Sequence, residues 1–136
     1  MKFLDTNILV YAHDDADLMK SQTASELILN LAQAGTGVLS TQVLGEFFQV
    51  VTGKLAQPLT PTDAGEVLRG YEVFRVVQID VPMIHAAVAV VAHHGISYYD
   101  ALIVAAAARA GCSILYSEDL NPGQKYLGVT VTNPFH

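Results

Sequence analysis

The chain has 136 residues, of which 51% are hydrophobic, and its mean hydropathy is +0.36. This length and composition fit one domain with a sizeable core, so we expect a single domain over residues 1–136 and no extended disorder. The formal net charge of −6 argues against a protein that holds nucleic acid on a broad basic surface.

Apolar periodicity predicts alternating strands and helices in the first half of the chain. In order, these are a strand at 2–4, a helix at about 7–13, a helix at 18–34, a strand at 37–39 and a helix from about 41 to 51. The long helix ends at Gly35, a residue typical of helix C-termini. Ser40 or Thr41 supplies the N-cap of the helix that follows the second strand.

The same alternation continues through the second half. We predict a helix at 63–74, a strand at 75–79, helices at 81–93 and 98–110, and strands at 113–116 and 129–132. Pro82 suits the first turn of its helix, and the helix at 98–110 is apolar almost all round, which indicates burial. Strands that alternate with helices predict an α/β fold, with a mainly parallel sheet covered by helices on both faces.

Two further features of the sequence concern its compartment. No apolar run reaches the roughly 18 residues of a membrane span, and Asp5 interrupts the stretch that would be apolar in a signal peptide. The only cysteine, Cys112, has no partner for an internal disulfide, which is typical of a reducing environment. We therefore expect a cytoplasmic protein with no membrane association.

Four acidic residues fall near strand ends or early in helices. Asp5 follows the first strand, and Asp119 follows the strand at 113–116. Glu46 lies in the first half of its helix, and Asp100 lies in the first turn of the buried helix. Functional groups of parallel α/β sheets collect beyond the carboxyl ends of the strands, so we expect these four side chains in one cleft.

A cleft lined by several carboxylates favours one kind of chemistry. The charges repel one another and require a counter-charge, and hard cations such as Mg²⁺ or Mn²⁺ prefer oxygen ligands. Such ions promote phosphodiester hydrolysis, because they activate water and stabilise the charge that develops at phosphorus. The four acids are therefore candidate metal ligands and catalytic residues.

Each acid also has a plainer interpretation. Asp100 is the third residue after Ser97 and is compatible with a capping box. Asp5 could cap the first short helix, Asp119 could belong to a turn, and Glu46 could be a solvated helix residue. Taken singly, these interpretations compete evenly with a site. Four caps and turns at one sheet edge are a less economical account than one shared cleft.

The aromatic residues near these acids are predicted to lie in different environments. Phe47 and Phe48 are predicted to lie in the core rather than in a base-stacking platform. Tyr98 and Tyr99 flank Asp100 at the predicted mouth of the cleft, and the sequence leaves their role open.

The acids lie in four segments with recognisable surroundings. These read FLDTNILVYA at 3–12, STQVLGEFF at 40–48, SYYDALIVAAA at 97–107 and SEDLNPGQ at 117–124. In order, spacing and context they resemble the four acidic blocks of PIN-domain proteins, especially VapC-like toxins, over nearly the whole chain. The resemblance places Asp5, Glu46, Asp100 and Asp119 on the family's acidic positions. It also matches Thr6 and Asn7 to the polar pair after the first acid and Ser117 to a supporting hydroxyl, and it leaves Glu118 outside the metal ligands.

The resemblance implies a Mg²⁺- or Mn²⁺-dependent endoribonuclease with an RNase H-like layout, acting as the toxin of a toxin–antitoxin pair. It implies a cognate antitoxin whose tail covers the acidic cleft, structured RNA substrates, including tRNA and rRNA, and a homodimer. The surplus of apolar residues also favours a homodimer, with the helices at 18–34 and 41–51 as candidate interfaces. The alternative is a catalytically silent PIN-like domain that binds RNA or protein. Only seven Lys and Arg residues are available to contact phosphates.

Overall fold

Six strands and six helices follow one another in the computed structural model, which describes all 136 residues. In chain order they are β1 Lys2–Leu4, α1 Thr6–Tyr11, α2 Leu18–Ala34, β2 Gly37–Ser40, α3 Thr41–Gly53, α4 Pro61–Tyr71, β3 Arg75–Val77, α5 Val81–His94, α6 Tyr98–Arg109, β4 Ile114–Tyr116, β5 Lys125–Tyr126 and β6 Val129–Thr132. The predicted α/β architecture is confirmed.

The strands form one sheet in the order β3-β2-β1-β4-β6-β5. Every pairing is parallel except that of β5 with β6. In β1, Phe3 lies opposite Val38 of β2 on one side and Leu115 of β4 on the other. The chain builds outward from β1 through β2 and β3 and then returns to the other side of β1. The strand order therefore reverses at β1, and a crevice opens there at the carboxyl ends of the strands.

The helices pack in two groups around this sheet. Contacts link α1 to α2 and α3, α3 to α4, and α5 to α6, and α6 lies against β2, β4 and β6. This arrangement is the predicted α/β/α sandwich. Ser40 is the N-cap of α3, and Gly35 ends α2 in the left-handed conformation, with φ of 69°, as their positions in the sequence indicate.

Helix α6 runs through the core. Seven consecutive residues, Ala101–Ala107, are buried, which confirms the prediction made from its apolar circumference. No single helix is both long and apolar enough to cross a membrane. Together α5 and α6 reach that length and composition, but they are bent by 119° where they join.

Helix α4, strand β3 and strand β5 differ from prediction for local reasons. Helix α4 starts at Pro61 rather than 63, because Thr60 caps it and proline suits the first helical position. Strand β3 ends at Val77 rather than 79, since Asp80 already caps α5. The short antiparallel β5 was not predicted. It turns back onto β6 through Leu127, whose φ of 51° is unusual for a non-glycine residue.

Candidate metal centre

Three of the four predicted acids meet at the crevice beside β1. Asp5, Asp100 and Asp119 each offer a carboxylate oxygen, and these oxygens lie within 4.8 Å of one another. Asp5 follows β1, Asp119 follows β4, and Asp100 lies in the first turn of α6. Elements far apart in sequence thus place three anionic groups at one point, as the topology of the sheet predicts.

Asp5 is the buried member of this cluster, with 4% of its surface exposed. It does cap α1, because its Oδ1 accepts a hydrogen bond from the Thr6 backbone N–H over 2.7 Å. Its Oδ2 accepts another from the Ser117 hydroxyl, also over 2.7 Å. Burial raises the pKa of Asp5 to about 7; these two hydrogen bonds oppose the shift, and the charges of Asp119 and Asp100 add to it. Asp5 is therefore both a cap and a member of the cluster.

Asp100 is half-buried at the start of α6. The Ser97 hydroxyl accepts a hydrogen bond from the Asp100 backbone N–H over 3.2 Å, so Ser97 caps the helix. The Ser97 backbone N–H donates no hydrogen bond to the Asp100 carboxylate, so the capping box is only half formed. Burial raises the pKa of Asp100, the nearby Asp119 raises it further, and the Ser97 hydroxyl partly offsets both. The carboxylate therefore interacts with the hydroxyl of its cap residue and also faces its acidic neighbours.

Asp119 is the exposed member and is oriented from two sides. Its Oδ2 accepts a hydrogen bond from Asn7 Nδ2 over 2.9 Å, and its backbone N–H donates to the Ser117 hydroxyl over 3.1 Å. Asn7 Oδ1 is buried and has no hydrogen-bond partner. Asn7 and Ser117, which the family resemblance matched to supporting polar positions, therefore contact the cluster and hold Asp119 in position.

Glu46 borders the cluster without joining it. Its Oε1 accepts hydrogen bonds from the Thr6 hydroxyl over 2.8 Å and from Gln42 Nε2 over 3.4 Å, and its Oε2 takes part in no hydrogen bond. Gln42 lies one helical turn before Glu46, a spacing from which the sequence could have revealed this contact. The same Gln42 nitrogen donates to the Tyr99 carbonyl over 3.1 Å, which ties α3 to the start of α6.

A cleft of about 480 Å³ opens beside these residues and is lined by Thr6, Asn7, Val10, Tyr11, Asp14, Glu46, Val50, Leu55, Glu118 and Asp119. Asp119 belongs to both the carboxylate cluster and the wall of the cleft. None of the three clustered carboxylates forms an ion pair: the ion pairs of the chain are Lys20–Glu118, Glu66–Arg69 and Asp80–Arg109. The cluster therefore has no protein counter-charge.

Glu118, next to Asp119, is held away from the cluster. It pairs with Lys20 and accepts a hydrogen bond from the Tyr11 hydroxyl over 2.6 Å. Despite burial, these partners hold the pKa of Glu118 below its usual value. Its predicted place outside the metal ligands agrees with this geometry. The sequence carries no signal for Lys20 or Tyr11, because each contacts Glu118 across roughly a hundred residues.

Comparison with known families gives one match. The family model described as PIN domain matches residues 2–125. No curated protein matches the sequence.

Solved structures with this fold cover most of the chain. VapC20 of Mycobacterium tuberculosis, described as a sarcin-ricin loop cleaving toxin, is 20% identical with a TM-score of 0.69, over 88% of this chain and 90% of that one. A toxin–antitoxin complex from Klebsiella pneumoniae is 16% identical with a TM-score of 0.72, over 98% of both chains. DNA-bound VapBC from Salmonella typhimurium is 18% identical with a TM-score of 0.69, over 98% of this chain and 97% of that one. These likenesses confirm the fold.

Proposed function

The chain belongs to the PIN domain family, and on that premise we propose that it is a metal-dependent endoribonuclease that acts as the toxin of a toxin–antitoxin pair. Family membership assigns the chain to the nucleases only in general. The observation that carries the finer proposal is the cluster of Asp5, Asp100 and Asp119, three carboxylates without a counter-charge beside an open cleft.

The donors present fit a hard divalent cation. Three carboxylate oxygens lie within 4.8 Å of one another, and no thiol or imidazole is among them. Mg²⁺ and Mn²⁺ prefer such oxygen ligands, whereas zinc favours nitrogen and sulfur. The orphaned Asn7 Oδ1 supplies a further buried oxygen beside Asp119. We assign Asp5, Asp100 and Asp119 as the residues that would hold Mg²⁺ or Mn²⁺, with Glu46 at the edge of the site.

When bound, the cation would supply Lewis-acid chemistry, activating water and stabilising the charge that develops at phosphorus. The protein supplies positioning. Ser117 and the Thr6 N–H fix both oxygens of Asp5, and Asn7 fixes Oδ2 of Asp119. Rigid placement of ligands matters because a small displacement of reacting groups lowers the rate strongly.

Glu46 has a separate role in this proposal. Thr6 and Gln42 occupy its Oε1, so its orientation on the wall of the cleft is defined. The free Oε2 is available to accept a hydrogen bond or a proton from a water molecule that approaches the phosphate. The residue then acts beside the three clustered carboxylates and need not share their ion.

The proposed partners follow from the neighbours and the charge. The similar structures include toxin–antitoxin and VapBC complexes. A cognate antitoxin that inserts a Lys- or Arg-bearing segment into the cleft would supply the missing counter-charge and block RNA.

We also propose a homodimer. Large apolar side chains are exposed on α2 (Leu18, Met19, Leu29) and on α5 (Val81, Ile84, Val88), and none on α3. Sedimentation of the isolated protein tests it, and a monomer at tens of micromolar contradicts it.

The decisive experiment is RNA cleavage by the purified chain. We expect the protein to cleave RNA from a panel of tRNA and rRNA with Mg²⁺ or Mn²⁺ and not in EDTA. The Asp119→Asn variant should lose this cleavage. Glu72→Gln is the matched control, because it removes one negative charge from an exposed position in the segment before β3, away from the crevice. Cleavage that persists in EDTA contradicts the mechanism. RNA or protein binding without cleavage under any metal condition favours the silent PIN-like domain instead.

A further inference from the structure

Tyr99 stands apart from the other aromatic residues of the chain. The sequence contains five Phe, six Tyr and no Trp. Tyr99 is the only one of the eleven that leaves most of its surface in solvent, at 63% exposed. A single exposed apolar side chain is ordinary by itself, so its position must carry the inference.

That position lies next to the carboxylate cluster in the chain, at the start of α6. Tyr99 immediately precedes Asp100, and its backbone carbonyl accepts a hydrogen bond from Gln42 Nε2 over 3.1 Å. Gln42 also contacts Glu46, so one side chain fastens Tyr99 to both α3 and the edge of the site. The ring packs edge to face on Tyr98, with centroids 5.1 Å apart and an interplanar angle of 69°. The Tyr99 backbone is therefore held beside the candidate ligand Asp100, and its exposed ring is supported by Tyr98.

The charge of the protein makes an aromatic contact valuable. Of seven Lys and Arg residues, Lys20, Arg69 and Arg109 are already in ion pairs. Few cations remain to bind phosphates, which are the usual source of affinity for nucleic acid. Stacking of a base on an aromatic ring strengthens binding by about 5- to 150-fold per base and requires no positive charge.

We infer that Tyr99 binds RNA by stacking on an unpaired base adjacent to the phosphate that is cleaved. This inference rests on the proposed ribonuclease function and deepens it. Bases inside a duplex are already stacked and paired, so the ring can engage only a base in a loop, a bulge or a single strand. Tyr99 thereby selects where the carboxylate cluster acts.

The first test separates KM from kcat. Tyr99→Ala should raise KM for a short single-stranded RNA about 5- to 150-fold and leave kcat within about twofold, because the ring binds and does not react. Tyr99→Phe should behave as wild type, since stacking needs the ring and not the hydroxyl. When the same RNA sequence is held in a duplex, neither substitution should change KM appreciably.

The second test uses the absence of tryptophan. In an Asp119→Asn background, Tyr99→Trp gives the protein its only tryptophan, whose emission can be excited selectively and should be quenched when single-stranded RNA binds. Val73→Trp is the control, because Val73 is 70% exposed and comes before β3, whereas the cluster lies beyond the carboxyl ends of the strands. Its emission should not respond.

The outcomes distinguish this inference from the proposed function. Wild-type protein that neither cleaves nor binds RNA overturns both. Wild-type cleavage with unchanged KM in Tyr99→Ala overturns only the role of Tyr99. An equal loss on single-stranded and duplex RNA, or a loss of antitoxin binding alone, also overturns it, because the ring then contacts something other than an unpaired base.

Discussion

The Ser117 hydroxyl donates a hydrogen bond to Asp5 Oδ2 over 2.7 Å, although the two residues are 112 positions apart. Ser117 is fully buried, and its hydroxyl oxygen also accepts a hydrogen bond from the backbone N–H of Asp119. One side chain thus joins the end of β1 to the loop that carries the exposed carboxylate of the cluster.

We expect Ser117→Ala to destabilise the metal-free protein by about 1–3 kcal/mol, because it leaves the buried Asp5 Oδ2 and the Asp119 backbone N–H without a partner. It should also raise the pKa of Asp5 further, since the Ser117 hydrogen bond opposes the effect of burial. Urea unfolding in EDTA measures the loss. Ser113→Ala is the control, because Ser113 is exposed at the other end of β4. Equal stability of the two variants would contradict this account.

Asp100→Asn separates a metal ligand from a helix cap. Ser97 supplies the cap, so the substitution should leave α6 intact and should relieve repulsion within the cluster. We expect unchanged or higher stability in EDTA, a smaller rise in melting temperature with Mn²⁺, and at least a hundredfold lower cleavage.

The matched control for that substitution is Asp63→Asn. Asp63 occupies the same position after its N-cap Thr60 as Asp100 does after Ser97, but it is exposed and outside the cluster. It should lose at most about 1 kcal/mol through the helix dipole and respond to Mn²⁺ as wild type does. An Asp100→Asn protein that melts lower in EDTA and still cleaves RNA would make Asp100 structural.

Lys20 keeps a nearby carboxylate away from the cluster. We expect Lys20→Met to release Glu118 beside Asp119 and to lower cleavage, because it adds an unpaired negative charge where RNA approaches. The double variant Lys20→Met, Glu118→Gln should recover most of the activity. A double variant as inactive as Lys20→Met would show that Lys20 itself contacts the substrate.

His13 should make stability depend on pH. It is partly buried against Phe47 and Tyr71, with Nε2 2.9 Å from the Tyr71 hydroxyl, and burial lowers its pKa below the usual 6.5. Between these two pKa values, His13 is protonated in the unfolded chain and neutral in the folded chain. Stability should fall as the pH drops from about 6.5 towards the lowered pKa, by at most about 1.4 kcal/mol per pH unit.

His13→Gln should remove that part of the pH dependence. Comparing its unfolding free energy with that of wild type between pH 5 and 7.5 isolates the contribution of His13, since all other titrating groups are shared. Parallel curves for the two proteins would contradict the prediction.

The features that could be predicted from the sequence are those with local causes. Helix α2 was predicted with its observed bounds, because Gly35 ends it through its own backbone conformation. The meeting of Asp5, Asp100 and Asp119 was predictable because parallel strands deliver their ends to one edge. Strand β5 escaped prediction since it is two residues long and its turn uses Leu127 at positive φ.

The hydrogen-bonding partners of the site were harder to predict. Asn7 and Ser117 were matched through the resemblance, but the contacts of Glu118 with Tyr11 and Lys20 depend on how α1 and α2 pack beside the loop after β4. Nothing within a short window of sequence determines that packing. Glu46 shows the same limit: its helix was predicted, but its hydrogen bond with the Thr6 hydroxyl joins residues 40 positions apart.

The pairing of β1 with β4 has a consequence for the order of synthesis. Asp5 and Glu46 are made early, but β4, which pairs with β1, and the Asp119 that follows it are translated much later. At roughly 5–20 residues per second, the chain spends several seconds on the ribosome before its third clustered carboxylate exists. A nascent chain surrounded by ribosomal RNA therefore lacks the complete carboxylate cluster until Asp119 has been made. The strand order itself therefore delays completion of the cluster.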